Sequence, residues 1–289
     1  MRIVLENVTH IYLKGDPREV KALKGINLTL QGSGVVGLIG RTGSGKSTLI
    51  QTMNGLLKPT SGSIFIDGEE ITARGADLLQ LRKRIGLVFQ YPEHQLFEET
   101  VYQDLAFGPR NLGLEEKEVE ARVHQALEAV ELEIALLQRS PFELSGGQQR
   151  RVAIAGVLAM QPEVLILDEP TAGLDPAGRE HILNQIIELQ RERDLLVLLV
   201  SHRMEEVGTL AERLLVLEEG QLVLDGSPRS VFREVEYLRE LDLDIPPLTD
   251  LFHRLANRGL SVSEEILTVE EARQEIMALL QGIRSRDKC

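Results

Sequence analysis

Residues 40–48 read GRTGSGKST, a spacing of glycines, lysine and hydroxyl that is typical of a phosphate-binding loop. The segment follows an apolar run at 35–40 and precedes a predicted helix from about Lys46 to Leu56, which is the context that the pattern requires. Its N–H groups would wrap phosphates, its lysine would reach the β- and γ-phosphates, and its hydroxyl would ligate Mg²⁺. The predicted nucleotide-binding residues are Gly40, Arg41, Thr42, Gly43, Ser44, Gly45, Lys46, Ser47 and Thr48.

Two carboxylates stand at the end of the apolar run VLILD at 164–168, namely Asp168 and the next residue, Glu169. Asp168 is placed to hold Mg²⁺ directly or through water, and Glu169 to orient and deprotonate an attacking water. The alternative is that this sequence pattern is a strand followed by an ordinary charged turn. The prediction therefore depends on what the neighbouring strands carry.

Polar residues also follow two other apolar runs. Gln90 comes after IGLVF at 85–89, and His202 comes after LLVLLVS at 195–201. A loop glutamine and a strand-edge histidine are common without any function, but ligands of open α/β sheets gather at the carboxyl ends of the strands. Together these residues converge on one nucleotide. We predict catalytic roles for Glu169, His202, Gln90 and Lys46, and Mg²⁺ binding by Ser47, Gln90 and Asp168.

A second glycine pair lies in LSGGQ at 144–148. Ser145 and Gln148 fit a capping box, which predicts a helix that begins at Gly146 and continues towards Pro162. Glycines in the first turn leave backbone N–H groups bare, and these groups attract an anion together with the helix dipole. The alternative is a glycine-rich helix start without a ligand.

The elements that position these residues form an α/β fold. Short β-type runs at 2–8, 26–30 and 63–67 predict a small N-terminal sheet. Apolar runs without polar alternation predict buried parallel strands at 35–40, 85–89, 164–168 and 195–201. Residues 214–226 read as a hairpin around Gly220.

Helical patterns fill the remaining chain. In a helical insertion at about 91–160, Thr100 and Gln103 form a capping box, and Gly108-Pro109 is expected to end that helix. Beyond Pro228 further helices follow. The last one starts with a capping box and carries an apolar stripe, which we interpret as intrachain packing, with subunit pairing as the alternative. The box is Thr268 with Glu271, and the stripe is Val269, Ala272, Ile276, Leu279 and Ile283.

Composition excludes several classes of protein. The formal net charge of −13 and the pI near 5.1 argue against a nucleic-acid groove, although a local basic patch at Arg150 and Arg151 stays open. One cysteine allows no intrachain disulfide and no cysteine-based metal site, which fits a reducing cytosol. The apolar runs are too short to span a bilayer, and we expect no signal peptide, because MRIVLENVTH turns polar after five residues.

The joint pattern resembles the ATP-binding cassette (ABC) ATPases from residue 1 to about 228. The resemblance implies a pair of subunits in which the signature of one closes on the ATP of the other, through Ser145, Gly146, Gly147 and Gln148. It also implies that Tyr12 stacks on adenine, unless it is a buried strand aromatic, and that Asp175 is an intersubunit aspartate. Gln90 would link the site to a membrane partner, and His202 would lie near the γ-phosphate. The implied ligands are ATP and Mg²⁺.

Within that family, residues 89–109 and 145–176 and an extension of about 60 residues resemble the ATPases of energy-coupling-factor transporters, which import vitamins or transition-metal ions. The resemblance implies three partners: a second, similar or identical ATPase, a transmembrane coupling protein and a small substrate-binding membrane protein. The chain would lie at the cytoplasmic face of the membrane as a peripheral subunit. Candidate docking residues are Glu93, Glu98, Glu99 and Asp104, and the alternative is a solvated acidic face.

The expected fold is an α/β P-loop NTPase with a mainly parallel core sheet, an N-terminal antiparallel β subdomain and an inserted helical subdomain at about 91–160. Residues 1–228 would form the nucleotide-binding domain, and 229–289 a small, mostly helical extension that stabilises the dimer. Two other functions stay open. An ATPase of a conventional importer shares every motif. A soluble cassette protein of translation or DNA repair is disfavoured by the single cassette, the lack of a long coiled-coil insertion and the acidic balance.

Overall fold

The structure, a computed structural model, describes residues 1–73 and 76–286, and within them no helix is long and apolar enough to cross a membrane. Strands run over β1 (Arg2–Tyr12), β2 (Val20–Gln31), β3 (Gly34–Ile39), β4 (Ser61–Ile66), β5 (Glu69–Glu70), β6 (Ile85–Val88), β7 (Val164–Asp168), β8 (Leu196–Val200), β9 (Arg213–Glu218) and β10 (Gln221–Gly226). Helices run over α1 (Lys46–Met53), α2 (Leu78–Arg84), α3 (Val101–Asn111), α4 (Glu116–Ala129), α5 (Gly146–Leu158), α6 (Pro176–Arg193), α7 (Met204–Leu210), α8 (Pro228–Arg233), α9 (Val235–Glu240), α10 (Pro247–Asn257) and α11 (Val269–Arg286). Short 3₁₀ turns lie at Pro92–Gln95, Ile134–Gln138 and Pro141–Glu143.

A six-stranded sheet forms the centre of the fold, in the order β10-β9-β3-β8-β7-β6. β3 pairs in parallel with β8 and β9, and β7 pairs in parallel with β6 and β8, whereas β10 joins β9 antiparallel in the predicted hairpin. Every residue of β3, β6, β7 and β8 is buried, as expected for strands covered on both faces. The predicted parallel core is confirmed, and the carboxyl ends of these strands share one edge.

The N-terminal sheet is antiparallel in the order β2-β1-β4-β5, which confirms the predicted β subdomain. Its first two strands are longer than the runs predicted at 2–8 and 26–30, because pairing continues until Tyr12 lies opposite Val20. The added parts carry polar and charged residues. Backbone pairing with a neighbouring strand extends a strand there, and the apolar pattern gives no sign of it.

The predicted helical subdomain is built from α3, α4 and α5, whose buried residues join the main hydrophobic core. The capping box of Thr100 and Gln103 is present. The prediction that Gly108-Pro109 ends this helix was wrong, because Pro109 lies inside α3, which continues to Asn111. In the last turn a proline removes only one helical hydrogen bond, and the N–H of Leu112 still bonds to the carbonyls of Gly108 and Pro109.

The chain after Pro228 first completes the main core. Val231, Phe232 and Leu238, from α8 and α9, are buried in it. A separate small cluster, centred on Phe252 and Ala272, forms between α10 and α11. The packing therefore departs from the boundary predicted at residue 228. We propose that the extension begins near residue 246, because Ile245 still packs against the main core.

The last helix, α11, begins as predicted. The N–H of Glu271 donates to Oγ1 of Thr268, and the Glu271 carboxylate accepts from the N–H of Thr268. Ala272 is buried, but Val269 is 75% exposed and Ile276 is also exposed, so intrachain packing was the wrong explanation for these two. The side chain of Ile283 lies outside the described residues.

Candidate functional site

The phosphate loop joins β3 to α1 through a backbone that requires glycine. Gly40 and Gly45 have φ angles of 154° and 108°, which side chains with a Cβ rarely adopt. A Cβ on Gly40 would lie 2.2 Å from the carbonyl oxygen of Leu217, and one on Gly45 would lie 2.5 Å from that of Ala22. The loop is therefore fitted tightly against β2 and β9, and two glycines of the motif are a steric requirement of this fold.

Lys46 is buried at the first position of α1. Its Nζ donates to the carbonyl oxygens of Gly40 at 2.7 Å and Arg41 at 2.9 Å. Burial lowers the pKa of Lys46, while the nearby carboxylates of Glu169 and Asp168 act in the opposite direction. An ammonium that rests on the carbonyls of its own loop can exchange them for phosphate oxygens of ATP, which are stronger acceptors because they are charged.

Asp168 and Ser47 bring two oxygen ligands together at the end of β7. Ser47 Oγ donates to Asp168 Oδ2 at 3.4 Å, and Asp168 is only 8% exposed. Burial, and then the charge of Glu169, raise the pKa of Asp168. A hydroxyl and a carboxylate are ligand types that Mg²⁺ prefers, and a divalent cation would relieve the electrostatic cost of this carboxylate. The residues present therefore fit Mg²⁺.

Glu169 lies between the two other predicted strand-end residues. Its Oε2 accepts from Nε2 of Gln90 at 2.9 Å, and its Oε1 lies 2.8 Å from Nε2 of His202. Glu169 has a φ of 50°, which is uncommon for a side chain of this type and turns the chain sharply after β7. The structure thus brings together residues that follow β6, β7 and β8, as predicted, while their catalytic roles stay predictions.

These residues line a cavity of about 610 Å³. Tyr12 lies at its edge: its hydroxyl is 3.1 Å from Oγ1 of Thr48, its ring meets His10 edge to face, and it is 38% exposed. The alternative of a buried strand aromatic is therefore wrong. Sequence reasoning missed Val20 and Ala22, which line the same cavity from β2. Their signal was weak, because only the pairing of Tyr12 with Val20 brings them to the site.

The LSGGQ segment forms an exposed helix start. Ser145 accepts from the N–H of Gln148, whose side chain returns a hydrogen bond to the N–H of Ser145, so the predicted capping box and the helix start at Gly146 are confirmed. Gly147 is exposed as well. In the described part of the chain, these residues do not line the cavity of their own subunit. Asp175 caps α6 by accepting from the N–H of Gly178 at 2.8 Å.

An apolar groove of about 530 Å³ lies on the face formed by α2, α3 and α5. Leu79, Phe97, Phe107 and Met160 are among the residues that line it, and the rings of Phe97 and Phe107 meet edge to face at 4.9 Å. Asp104 is the acidic residue in this wall. The groove therefore combines aromatic surface with one carboxylate and two basic residues, Arg82 and Lys83.

The four predicted docking residues have different surroundings. Asp104 Oδ1 accepts from the N–H groups of Phe97 and Glu98, whereas its Oδ2 is buried with no hydrogen-bond partner among the described residues. Burial raises the pKa of Asp104. Glu98 is half-buried and Glu99 exposed on the same segment, and their docking roles stay predictions.

Glu93 is engaged inside the chain instead. Its two carboxylate oxygens accept from Nε and Nη2 of Arg150 at 3.0 and 2.9 Å, and Arg150 is 2% exposed. The free docking contact predicted for Glu93, and the surface basic patch left open at Arg150, are therefore replaced by an internal ion pair. Arg151 donates to the carbonyls of Val130 and Glu131 within the helical subdomain.

The fold and the site define a P-loop ATPase of the cassette type. Residues 23–172 match the family described as ABC transporter. The chain belongs to this family and is an ATP-binding and ATP-hydrolysing protein.

Relatives of the chain match it over nearly its full length. The energy-coupling factor transporter ATP-binding protein EcfA2 of Caldanaerobacter subterraneus subsp. tengcongensis is 52% identical over 99% of this chain and 100% of its own. EcfA2 of Clostridium perfringens is 51% identical over 98% of this chain and 99% of its own.

Solved structures agree with this assignment. The cbiO1 protein from Clostridium perfringens, part of the ABC transporter complex cbiONQ, is 41% identical with a TM-score of 0.72, over 87% of this chain and 98% of its own. The ATP-binding cassette MJ0796, in a dimeric post-hydrolysis state bound to ADP and Pi, is 31% identical with a TM-score of 0.70, over 78% and 98%.

Proposed function

We propose that this chain is the ATP-hydrolysing subunit of an energy-coupling-factor importer for a vitamin or a transition-metal ion. The observation that carries the hydrolytic part is Glu169, held between Gln90 and His202 beside the Asp168–Ser47 pair. The relatives named as energy-coupling factor ATP-binding proteins support the transport part.

Each residue has a role in the proposed reaction. Lys46 and the loop N–H groups bind the phosphates, and Tyr12 offers its exposed face to the base. Ser47, Asp168 and Gln90 would hold Mg²⁺, although the amide of Gln90 donates to Glu169 in this structure. The ion would supply charge neutralisation at the phosphates. Glu169 takes a proton from the attacking water, and His202 orients Glu169 and reaches towards the γ-phosphate.

Hydrolysis is proposed to occur in a pair of subunits, similar or identical. The exposed start of α5 supports this arrangement, because Ser145, Gly146, Gly147 and Gln148 are accessible and do not line the cavity of their own chain in its described part. In the pair they would close on the ATP of the partner, with Asp175 between the subunits. The exposed apolar side chains of α11, such as Val269 and Met277, support a role of the extension in pairing.

A transmembrane coupling protein is proposed to dock in the apolar groove, and a small membrane protein would carry the substrate. Phe97 and Phe107 offer the apolar surface that a partner helix would cover. The unpartnered Oδ2 of Asp104 would accept from a basic residue of that helix. The chain would thereby be held at the cytoplasmic face of the membrane as a peripheral subunit.

The first experiment is copurification of the tagged chain from detergent-solubilised membranes of its own source, with companions identified by mass spectrometry. We expect a coupling protein and a small substrate-binding membrane protein, with or without a second ATPase. Conventional permease domains would replace the proposal by an ordinary importer. Ribosomes, DNA-repair factors or no membrane companion would refute the transport role and leave the ATPase chemistry standing.

The docking surface is tested in the same assay with Asp104→Asn. We expect this variant to keep ATP binding and to lose the membrane companions by about ten-fold, because a buried charge-assisted hydrogen bond would be lost. Glu120→Gln is the control, since Glu120 is an exposed carboxylate on α4 outside the groove. Equal recovery of companions with both variants would contradict docking at Asp104.

A further inference from the structure

Arg150 is a buried arginine whose donors are divided between two segments that are far apart in the sequence. Its Nε and Nη2 form a bidentate pair with Glu93, in the 3₁₀ turn Pro92–Gln95. Its Nη1 donates to the carbonyl oxygens of Pro170 at 3.2 Å and Ala172 at 2.7 Å. One guanidinium on α5 thus joins the turn after Gln90 to the loop after Glu169.

The loop 170–172 is held from its other side as well. Thr171 Oγ1 lies 3.1 Å from both carboxylate oxygens of Glu206, which also accepts from Ser201 Oγ at 3.0 Å. Thr171 and Ser201 are buried, and Ser201 directly precedes His202. The loop therefore lies between Arg150 on one side and Glu206 on the other, so its backbone has little freedom to shift independently.

The turn that contains Glu93 borders the apolar groove. Gln95 and Leu96, which follow within three residues, line the groove, and Val157 of α5 lines it too. Arg150 therefore contacts a segment at the groove and a segment at the nucleotide site with the same rigid, planar group. A lysine offers only a point charge and does not reproduce a bidentate contact together with two carbonyl contacts.

We infer that Arg150 is a positioning residue for ATP hydrolysis. Through the carbonyls of Pro170 and Ala172 it fixes the backbone that leaves Glu169, and through Glu93 it ties that backbone to the turn after Gln90. A shift of that turn, such as docking in the groove would produce, is carried to the loop beside Glu169 without a change in the residues that touch ATP. Transmission from the groove rests on the proposed function, whereas positioning of the loop does not.

The test compares steady-state hydrolysis by the full chain with Arg150→Lys, Glu93→Gln and the control Arg151→Lys. Arg151 is the matched control, because it is the next residue and also donates to two carbonyls. These carbonyls belong to the helical subdomain, and its Nη1 also lies 3.5 Å from Nε2 of His181 on α6, so these partners lie outside both the turn Pro92–Gln95 and the loop 170–172. We expect Arg150→Lys and Glu93→Gln to lower kcat by about ten-fold while KM for ATP stays within about two-fold, since transition-state geometry and not binding is affected. Arg151→Lys should keep kcat and KM.

A double-mutant cycle separates positioning from a general loss of structure. The double variant Glu93→Gln with Arg150→Lys should have the kcat of Arg150→Lys alone, whereas Glu93→Gln with Arg151→Lys should show additive effects. Thermal unfolding identifies variants that do not fold. If Arg150→Lys does not fold, the result for Glu93→Gln decides the question. Unchanged kcat in a folded variant, or a loss confined to KM, would overturn the inference. Because the readout is hydrolysis alone, the result holds even if copurification finds no membrane partner.

Discussion

At the scale of single residues, Asp168 has an electrostatic cost in the folded chain. Burial, and secondly Glu169, raise the pKa of its carboxyl, so the folded chain holds this proton more tightly than the unfolded chain does. The stability contributed by the group is therefore complete below its usual pKa of about 3.9 and is lost as pH rises through the raised value. Asp67 is the opposite case, since its hydrogen bond with Arg84 lowers its pKa.

We therefore predict that Asp168→Asn raises the midpoint of thermal unfolding at pH 7, measured without Mg²⁺ or nucleotide, and that the gain disappears near pH 3. Hydrolysis should fall on the order of 100-fold or more, because a ligand for the metal is lost. Asp67→Asn is the control with the reverse sign, because it removes a carboxylate that is favourable when ionised. A lower midpoint for Asp168→Asn at pH 7 would contradict this account.

That the residues after the core strands lie together could be predicted from the sequence, whereas the contacts of Arg150 could not. Gln90, Glu169 and His202 each follow an apolar run, and parallel strands necessarily bring such positions to one edge. The partners of Arg150 come from two distant segments, and an arginine in a run of polar residues is equally well explained as a surface charge. Its burial depends on tertiary packing, for which the sequence has no local signal.

At the scale of elements, the start of α5 has two proposed uses. Ser145 caps its own helix, and in the pair it would turn towards the γ-phosphate of the partner's ATP. A cap is worth about 1 kcal/mol to a helix. Because α3 begins with the same type of box at Thr100, the molecule contains an internal control for the capping contribution alone.

We predict that Ser145→Ala and Thr100→Ala each lower the free energy of unfolding by about 1 kcal/mol. Only Ser145→Ala should weaken ATP-driven dimerisation, which analytical ultracentrifugation measures in the presence of Mg²⁺ and ATP. If both variants dimerise like the parent chain, Ser145 is a cap and no more.

The lengths of elements were harder to predict than their existence. All three capping boxes, at Thr100, Ser145 and Thr268, are present, because a box is a local exchange of hydrogen bonds between a cap and the residue three positions on. The prediction that α3 ends at Pro109 was wrong, because a proline in the last turn of a helix costs little stability. Tyr12 and Val20 lie in the parts of β1 and β2 that are extended only by the pairing of these two strands. No local sequence rule therefore predicts that they are in strands.

At the scale of the whole molecule, the division between cassette and extension does not follow the sequence motifs. Phe232 and Leu238 lie beyond the last recognisable cassette feature and yet are fully buried in the main core. Apolar residues in short helices look alike in the sequence whether they complete one core or begin another. The proposed boundary therefore rests on packing and not on a sequence motif.

We predict that a chain truncated after Pro228 fails to fold, since losing a single buried phenylalanine already costs about 3–5 kcal/mol. A chain truncated after Ile245 should keep the cassette and its ATP binding. It should also pair more weakly without nucleotide while its ATP-bound dimer is spared, as measured by thermal unfolding and sedimentation. Equal loss of both dimers after the second truncation would instead indicate a plain folding role for α10 and α11.

The position of helix α5 has a consequence for the genetics of mutations within it. Its 13 residues span about 20 Å, from Gly146 at the exposed signature, past Arg150, to Val157 in the wall of the groove. In the proposed pair, one end of this helix contacts the nucleotide of the partner subunit. The other end lines the groove in which the subunit's own membrane partner docks. A subunit with a broken α5 would therefore disable its partner's hydrolysis as well as its own docking. If the two subunits are identical chains, such an allele would be dominant, because its product would inactivate every intact copy with which it assembles.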